Sequence, residues 1–181
     1  MPTNRERSLQ AAIEILAADG IRALTHRRVD ERAGLPEGST SNAFRTRGAL
    51  LGGVTRHMVE TELPHVTRSF SVDLPEDLAD SLAELFAQQV GPLRRLTAAR
   101  LALYVEAGHD EAIRAVLIEG RSDVLAPVRA ALADLGAADP ELAVRLFGSC
   151  FEGLFLQVLG GYADIEPRPV ILAAVRAALA A

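Results

Sequence analysis

The chain has 181 residues, 49% of them hydrophobic and 24% charged, with a formal net charge of −5. That composition describes a globular protein with one substantial core or two small ones, and it excludes disorder over most of the length. It also excludes a protein that coats nucleic acid indiscriminately, since such proteins are basic throughout.

Two further expectations concern location. No apolar run approaches the roughly 18 residues that span a bilayer, and the polar N-terminus lacks the apolar centre of a signal peptide, so a cytoplasmic protein without membrane contact is expected. The single Cys150 suits a reducing compartment and reads as a small packing residue. Charge is unevenly spread. Residues 1–60 hold nine Arg against seven Asp and Glu, while the rest of the chain carries a net −7. Only the N-terminal third is electrostatically suited to DNA.

Apolar residues recur at three- and four-residue spacing almost everywhere, which predicts helices and no strand. Thr3-x-x-Glu6 forms a capping box for a first helix with Leu9, Ala12, Ile13, Leu16 and Ala17 on one face, stopped by Asp19-Gly20. A second helix starts at Thr25, whose hydroxyl is placed to cap, and ends at Ala33-Gly34. A third is expected over about 37–43. Arg47 begins a longer fourth, with Leu50, Leu51, Val54 and Met58 inward, which Pro64 should bend or end. Further helices are expected over about 75–90, from Gly91-Pro92 to Gly108, and over about 110–135 with a disturbance at Pro127. Two more follow, from Asp139-Pro140 to about Gly160 and after Pro169. Short connections make this a compact all-α chain of about nine helices.

Residues 25–42 have the organisation of a helix-turn-helix, in which the second helix docks in the major groove. Val29, Ala33, Leu35 and Phe44 can meet Leu16 and Leu50 in a small core, which would leave Ser39, Thr40, Ser41 and Asn42 facing outward. Hydroxyls contact phosphates or bases, and Asn pairs bidentately with adenine. Arg27, Arg28, Arg45 and Arg47 flank them for phosphate or guanine contacts. A Gly-Ser-Thr-Ser-Asn string is also ordinary loop composition, so spacing alone leaves a polar turn open.

Residues 8–58 resemble the N-terminal domain of TetR-family transcriptional regulators. The resemblance rests on Ala11-Ala-Ile-Glu-Ile-Leu-Ala17-x-x-Gly20 and Thr25-x-x-x-Val29-x-x-x-Ala33-Gly34, then Gly38-Ser-Thr40 leading to Phe44, and Arg47-x-Ala49-Leu-Leu51. It implies a helix-turn-helix DNA-binding domain over residues 1–48 and a helical effector-binding and dimerisation domain over 49–181. By position, Ser39, Ser41 and Asn42 take the recognition-helix roles, Thr25 and Arg27 the contacts from the preceding helix, and Arg47 a phosphate contact. The chain departs from the family where an aromatic side chain commonly stands in the recognition helix, since Ser41 and Ala43 occupy those places.

The resemblance further implies a ligand pocket and a twofold interface in the C-terminal helices. Phe147, Phe151 and Phe155 lie at i, i+4 and i+8 on one apolar side of a helix. Pocket candidates combine bulk with a polar group nearby: Phe86, Leu103, Tyr104, Leu117, Arg121, Phe147 and Phe151. Interface candidates are Phe155, Val158, Val170, Leu172, Val175 and Leu179, because a terminal helix so apolar needs a partner. Expected partners are a near-palindromic double-stranded operator, a second copy of the chain and a mainly apolar effector, with no cofactor.

An enzyme is not expected. Ser39 and Ser41 lie in no Gly-x-Ser-x-Gly elbow, and His26, His57, His65 and His109 form no metal-ligand spacing with Cys150. The function expected is a sequence-specific repressor released by a small molecule. The alternative is a helical dimer serving protein interaction or nucleoid packaging, the latter disfavoured by the acidic C-terminal part.

Overall fold

A computed structural model describes residues 2–66, 70, 72–162 and 164–181. The described residues form nine α-helices: α1 (Asn4–Asp19), α2 (His26–Ala33), α3 (Ser39–Ala43), α4 (Arg47–Val66), α5 (Pro75–Val90), α6 (Arg94–Glu106), α7 (Glu111–Asp134), α8 (Pro140–Gly160) and α9 (Pro167–Leu179). They contain no strand, and a short 3-10 turn, Ile21–Ala23, links α1 to α2. The chain divides into two compact units, residues 1–61 with 95–120, and residues 62–94 with 121–181.

Several boundaries follow from chemistry visible in the sequence. Thr3 and Glu6 exchange capping bonds, the Thr3 amide donating to Glu6 Oε2 at 2.7 Å and the Glu6 amide to Thr3 Oγ1 at 3.2 Å. The Thr3 amide, and after it the Thr3 hydroxyl donating at 3.0 Å, hold the Glu6 carboxyl below the usual carboxylate range. Thr25 caps α2 by accepting the Arg28 amide. At the other end Gly34 is left-handed, with φ of 61°, and the Leu35 amide reaches back to the Asp30 carbonyl at 2.9 Å. That C-terminal geometry turns the chain toward α3, and a β-carbon at position 34 would strain it.

Other boundaries differ from expectation. α3 begins at Ser39 rather than near 37, because Pro36 to Gly38 make a turn that ends with Gly38 left-handed. α4 is described over Arg47–Val66, so it does not end at Pro64. α7 continues unbroken through Pro127. By length and composition α8 is apolar enough to cross a membrane, although Glu141, Arg145 and Glu152 interrupt its apolar run. A core helix meets the same criterion, and α8 packs on α5 and α9.

In the first unit, the buried side chains Leu9, Ile13 and Leu16 of α1 join Val29, Leu35, Phe44, Leu50, Val54 and Met58 as one core. The ring of Phe44 lies on Gly53 of α4, so close that a β-carbon there would stand 2.5 Å from Cε1. That contact seats the end of α3 on α4. In the second unit α5, α8 and α9 pack mutually around Leu78, Leu82, Phe86, Phe147, Phe155, Ile171 and Val175. Asp139 caps α8 by accepting the Glu141 and Leu142 amides, both at 3.0 Å. Ion pairs Arg168 to Asp80 and Arg176 to Glu76 tie α9 to α5.

Candidate nucleic-acid interface and ligand seat

The short helix α3 cannot be held by its own hydrogen bonds, since five residues close too few turns to offset nucleation. Asp30 of α2, only 3% exposed, supplies the missing anchor. One carboxylate oxygen accepts the Gly38 amide at 2.9 Å, and the other accepts the Thr40 amide at 2.8 Å together with the Thr40 hydroxyl. The carboxylate only accepts, so the Thr40 proton goes to it; the Ser8 hydroxyl, 3.1 Å from that of Thr40, donates its own proton to the Asn4 carbonyl at 2.9 Å. A polar chain thus runs from α1 through α3 into α2.

This network corrects one placement. Thr40, expected to face outward, is fully buried, because its side chain is drawn under α3 by Asp30. Ser41 and Asn42 are exposed and Ser39 is half-buried. Their hydroxyls are engaged locally, Ser39 donating to the Pro36 carbonyl at 2.7 Å and Ser41 to the Gly38 carbonyl at 2.9 Å.

The predicted arginines are all exposed around this helix in sequence, but three have partners. Arg27 pairs with Glu31 at 2.9 Å, Arg28 with Asp19 at 2.7 Å, and Arg47 donates to the Ile21 carbonyl at 3.0 Å. The Arg27 pair is largely solvated, with side-chain exposures of 79% and 59%, so exchanging Glu31 for a phosphate costs little. Arg45 is exposed at the end of α3, and Thr25 is exposed as the cap of α2.

Sequence reasoning missed four contributors. Asp30 is one, and an acid set between Val29 and the Ala33-Gly34 turn, eight residues before Gly38, was the available signal. His26 is another: its Nε2 lies 2.7 Å from the Phe44 carbonyl, which can only accept, so Nε2 carries the proton and joins the start of α2 to the end of α3. Arg5 covers the Phe44 ring at 5.1 Å, and Arg7 donates to the Ala33 and Gly34 carbonyls that end α2. A groove of about 420 Å³ beside Arg7 is lined by Glu6, Glu14, Arg32 and His57 among others. Arg32 and Glu14 already pair across it.

The pocket candidates fall in both units. Leu103 and Leu117 are buried and Tyr104 half-buried in the first. In the second, Phe86, Phe147 and Phe151 join Phe155 in a ring cluster. Phe86 stacks on Phe155 with centroids 4.8 Å apart and meets Phe151 edge-on at 5.7 Å, while Phe147 lies 5.1 Å from Phe151. Beside them Arg121 pairs with Glu152 at 3.2 Å, the two side chains 34% and 24% exposed. The guanidinium rests on Gly148, where any β-carbon would meet it at 3.1 Å.

Two interface candidates are corrected. Phe155 and Val175 are buried inside the unit, Phe155 by stacking on Phe86, and so present nothing to a partner. Val170 is exposed, and Val158, Leu172 and Leu179 are half-buried. The exposed apolar residues of α8 are Leu142, Leu146 and Leu156, with Cys150 exposed among them rather than packed. Among the described residues no group of His, Cys, Asp and Glu is placed to hold a metal; the side chain of His65 lies outside those residues.

An all-helical chain whose α2 and α3 form a helix-turn-helix, followed by a larger helical unit, defines a DNA-binding transcriptional regulator. Residues 73–181 match the model of the tetracyclin repressor-like C-terminal domain, and the chain belongs to the TetR family. No curated protein matches it in sequence. Among solved structures it is similar to the multidrug binding protein EbrR in complex with ethidium, with 27% identity over 96% of this chain and 98% of that one, and a TM-score of 0.77. EbrR in complex with imidazole matches at 28% identity over 97% and 95%, with a TM-score of 0.73. A TetR family member from Streptomyces coelicolor A3 matches at 27% identity over 97% and 98%, with a TM-score of 0.78.

Proposed function

We propose that this protein is a cytoplasmic repressor that binds a near-palindromic operator as a homodimer and is released by a small aromatic effector. The observation that carries the reading is α3, a polar helix held out on a buried carboxylate, with Ser39, Ser41 and Asn42 on its surface and Arg27, Arg28, Arg45 and Arg47 around it. One helix this short makes few contacts. Two copies reading half-sites about one helical turn apart, roughly 34 Å, bind tightly enough to occlude a promoter.

The exposed Leu142, Leu146 and Leu156 of α8, with Val170 of α9, supply an apolar surface for the second copy. Residues 1–48 are assigned to DNA and 49–181 to effector and dimer. The effector seat is assigned to the side of α8 that carries Phe151 and Glu152, next to Arg121; that EbrR is complexed with ethidium and with imidazole favours a flat ring system. Such a ligand releases the operator only by binding the DNA-incompetent state more tightly than the competent one.

Selection of bound duplexes from a random pool tests the reading. An enriched half-site repeated with twofold symmetry is expected, bound far more tightly than random duplex at fixed salt. Equal affinity for both rejects it. Ethidium binds DNA itself, so calorimetry with protein alone tests the seat, and Phe151→Ala should weaken that binding.

A further inference from the structure

The hydrogen-bond polarity of α3 determines which groups of DNA it can meet, provided that α3 is the base-contacting helix proposed above. Every hydroxyl proton on α3 is spent inside the protein: Ser39 donates to Pro36, Ser41 to Gly38, and Thr40 to Asp30. Three amides at the start of the helix are spent as well. Those of Gly38 and Thr40 enter the Asp30 carboxylate, and that of Ser39 goes to the Pro36 carbonyl at 3.1 Å. The N-terminal position where a phosphate commonly sits on a helix is therefore answered by the protein's own acid.

A hydroxyl has one proton and two lone pairs, so Ser39 and Ser41 face outward as acceptors. Phosphate oxygens, guanine N7 and O6, and thymine O4 are acceptors too. Turning either serine toward one of them gives up its internal bond, leaving the Pro36 carbonyl with the Ser39 amide alone and the Gly38 carbonyl with the Asn42 amide alone. The donors in the major groove are the N6 amino group of adenine and the N4 amino group of cytosine, and these can be met with the internal bonds intact. Asn42 carries both polarities and suits adenine N6 and N7.

We propose that Ser39 and Ser41 are specificity-determining residues that select exocyclic amino groups, leaving phosphate contacts to the arginines. The test uses the operator recovered from a random pool, resynthesised with purine deoxyriboside in place of each adenine, with 4-deaminated cytosine analogues, and separately with 7-deazaguanine. In each half-site at least one amino deletion should weaken binding by about 5- to 150-fold. Ser39→Ala or Ser41→Ala should bind the parent operator correspondingly weakly and lose nothing further on that deleted duplex.

Wild-type protein that tolerates every amino deletion overturns the proposal while leaving α3 as the reading helix. So do alanine variants that weaken operator and random duplex alike with a shallower salt dependence, the mark of a lost phosphate contact. A pool that enriches no sequence overturns sequence reading by α3, and this proposal with it.

Discussion

Replacing Asp30 with alanine removes the acceptor of three protons, the amides of Gly38 and Thr40 and the Thr40 hydroxyl. Hydrogen bonds to a charged group contribute about 1.5–3 kcal/mol each, and the gross loss is partly offset because a carboxylate no longer has to be desolvated, a cost of several kcal/mol. A net loss of about 2–4 kcal/mol remains, since the orphaned donors regain water only if α3 frays. For a chain of this size that lowers the thermal midpoint by about 5–15 °C.

The isosteric Asp30→Asn keeps one oxygen for Thr40 but turns an amino group toward the Gly38 amide, and should cost about 1–2 kcal/mol. Thr40→Val removes a single hydroxyl and should cost about 1 kcal/mol, because Ser8 already donates to the Asn4 carbonyl and is left with no unmet proton. Unfolding followed by circular dichroism, with operator affinity measured in parallel, gives the order Ala, Asn, Val from worst to mildest. An Asp30→Ala protein as stable as the parent, or less affected than Asp30→Asn, refutes the reasoning.

Three more outcomes are expected. Gly53→Ala drives a methyl into the buried Phe44 ring; overpacking of about 1–3 kcal/mol should outweigh the roughly 1 kcal/mol gain in helix propensity, so a raised melting temperature would contradict the packing. The Glu76 carboxyl is held below its usual range, chiefly by the Arg176 hydrogen bond. A lowered carboxylate stabilises the fold above its unfolded pKa and stops doing so as pH falls through the folded value. Arg176→Ala should therefore be less stable than the parent at neutral pH and equal to it in acid, and a deficit that persists in acid would exclude the ion pair as its cause. Leu146→Glu places a charge on the exposed apolar side of α8 and should shift the sedimenting species toward the mass of one chain; an unchanged dimer would put the interface elsewhere.

Much of the fold was legible because it rests on local chemistry. The Thr3 and Glu6 capping box, the Thr25 cap and the end of the second helix at Ala33-Gly34 depend on residues within a few positions of one another, and each stands as read. The core positions Val29, Leu35, Phe44 and Leu50 follow from helical periodicity. What escaped were partners remote in sequence. Outward hydroxyls at 39–42 were a fair reading of a polar string, yet Thr40 turns inward because Asp30, ten residues earlier, waits beneath it. The same applies to Phe155, Val175 and Cys150: periodicity shows which residues share a face of a helix but not whether the neighbour is α5 or solvent.

The sequence by itself determined that this protein is helical, that its N-terminal part carries a helix-turn-helix, and that it resembles the TetR family, since periodicity, caps and turn glycines act over one or two turns. Only the tertiary structure decided how α3 is held and what it presents. That outcome depends on where each proton goes, and protons are assigned by acceptors that folding brings from elsewhere in the chain: Asp30 for Thr40, the Phe44 carbonyl for His26, and Ile21 for Arg47.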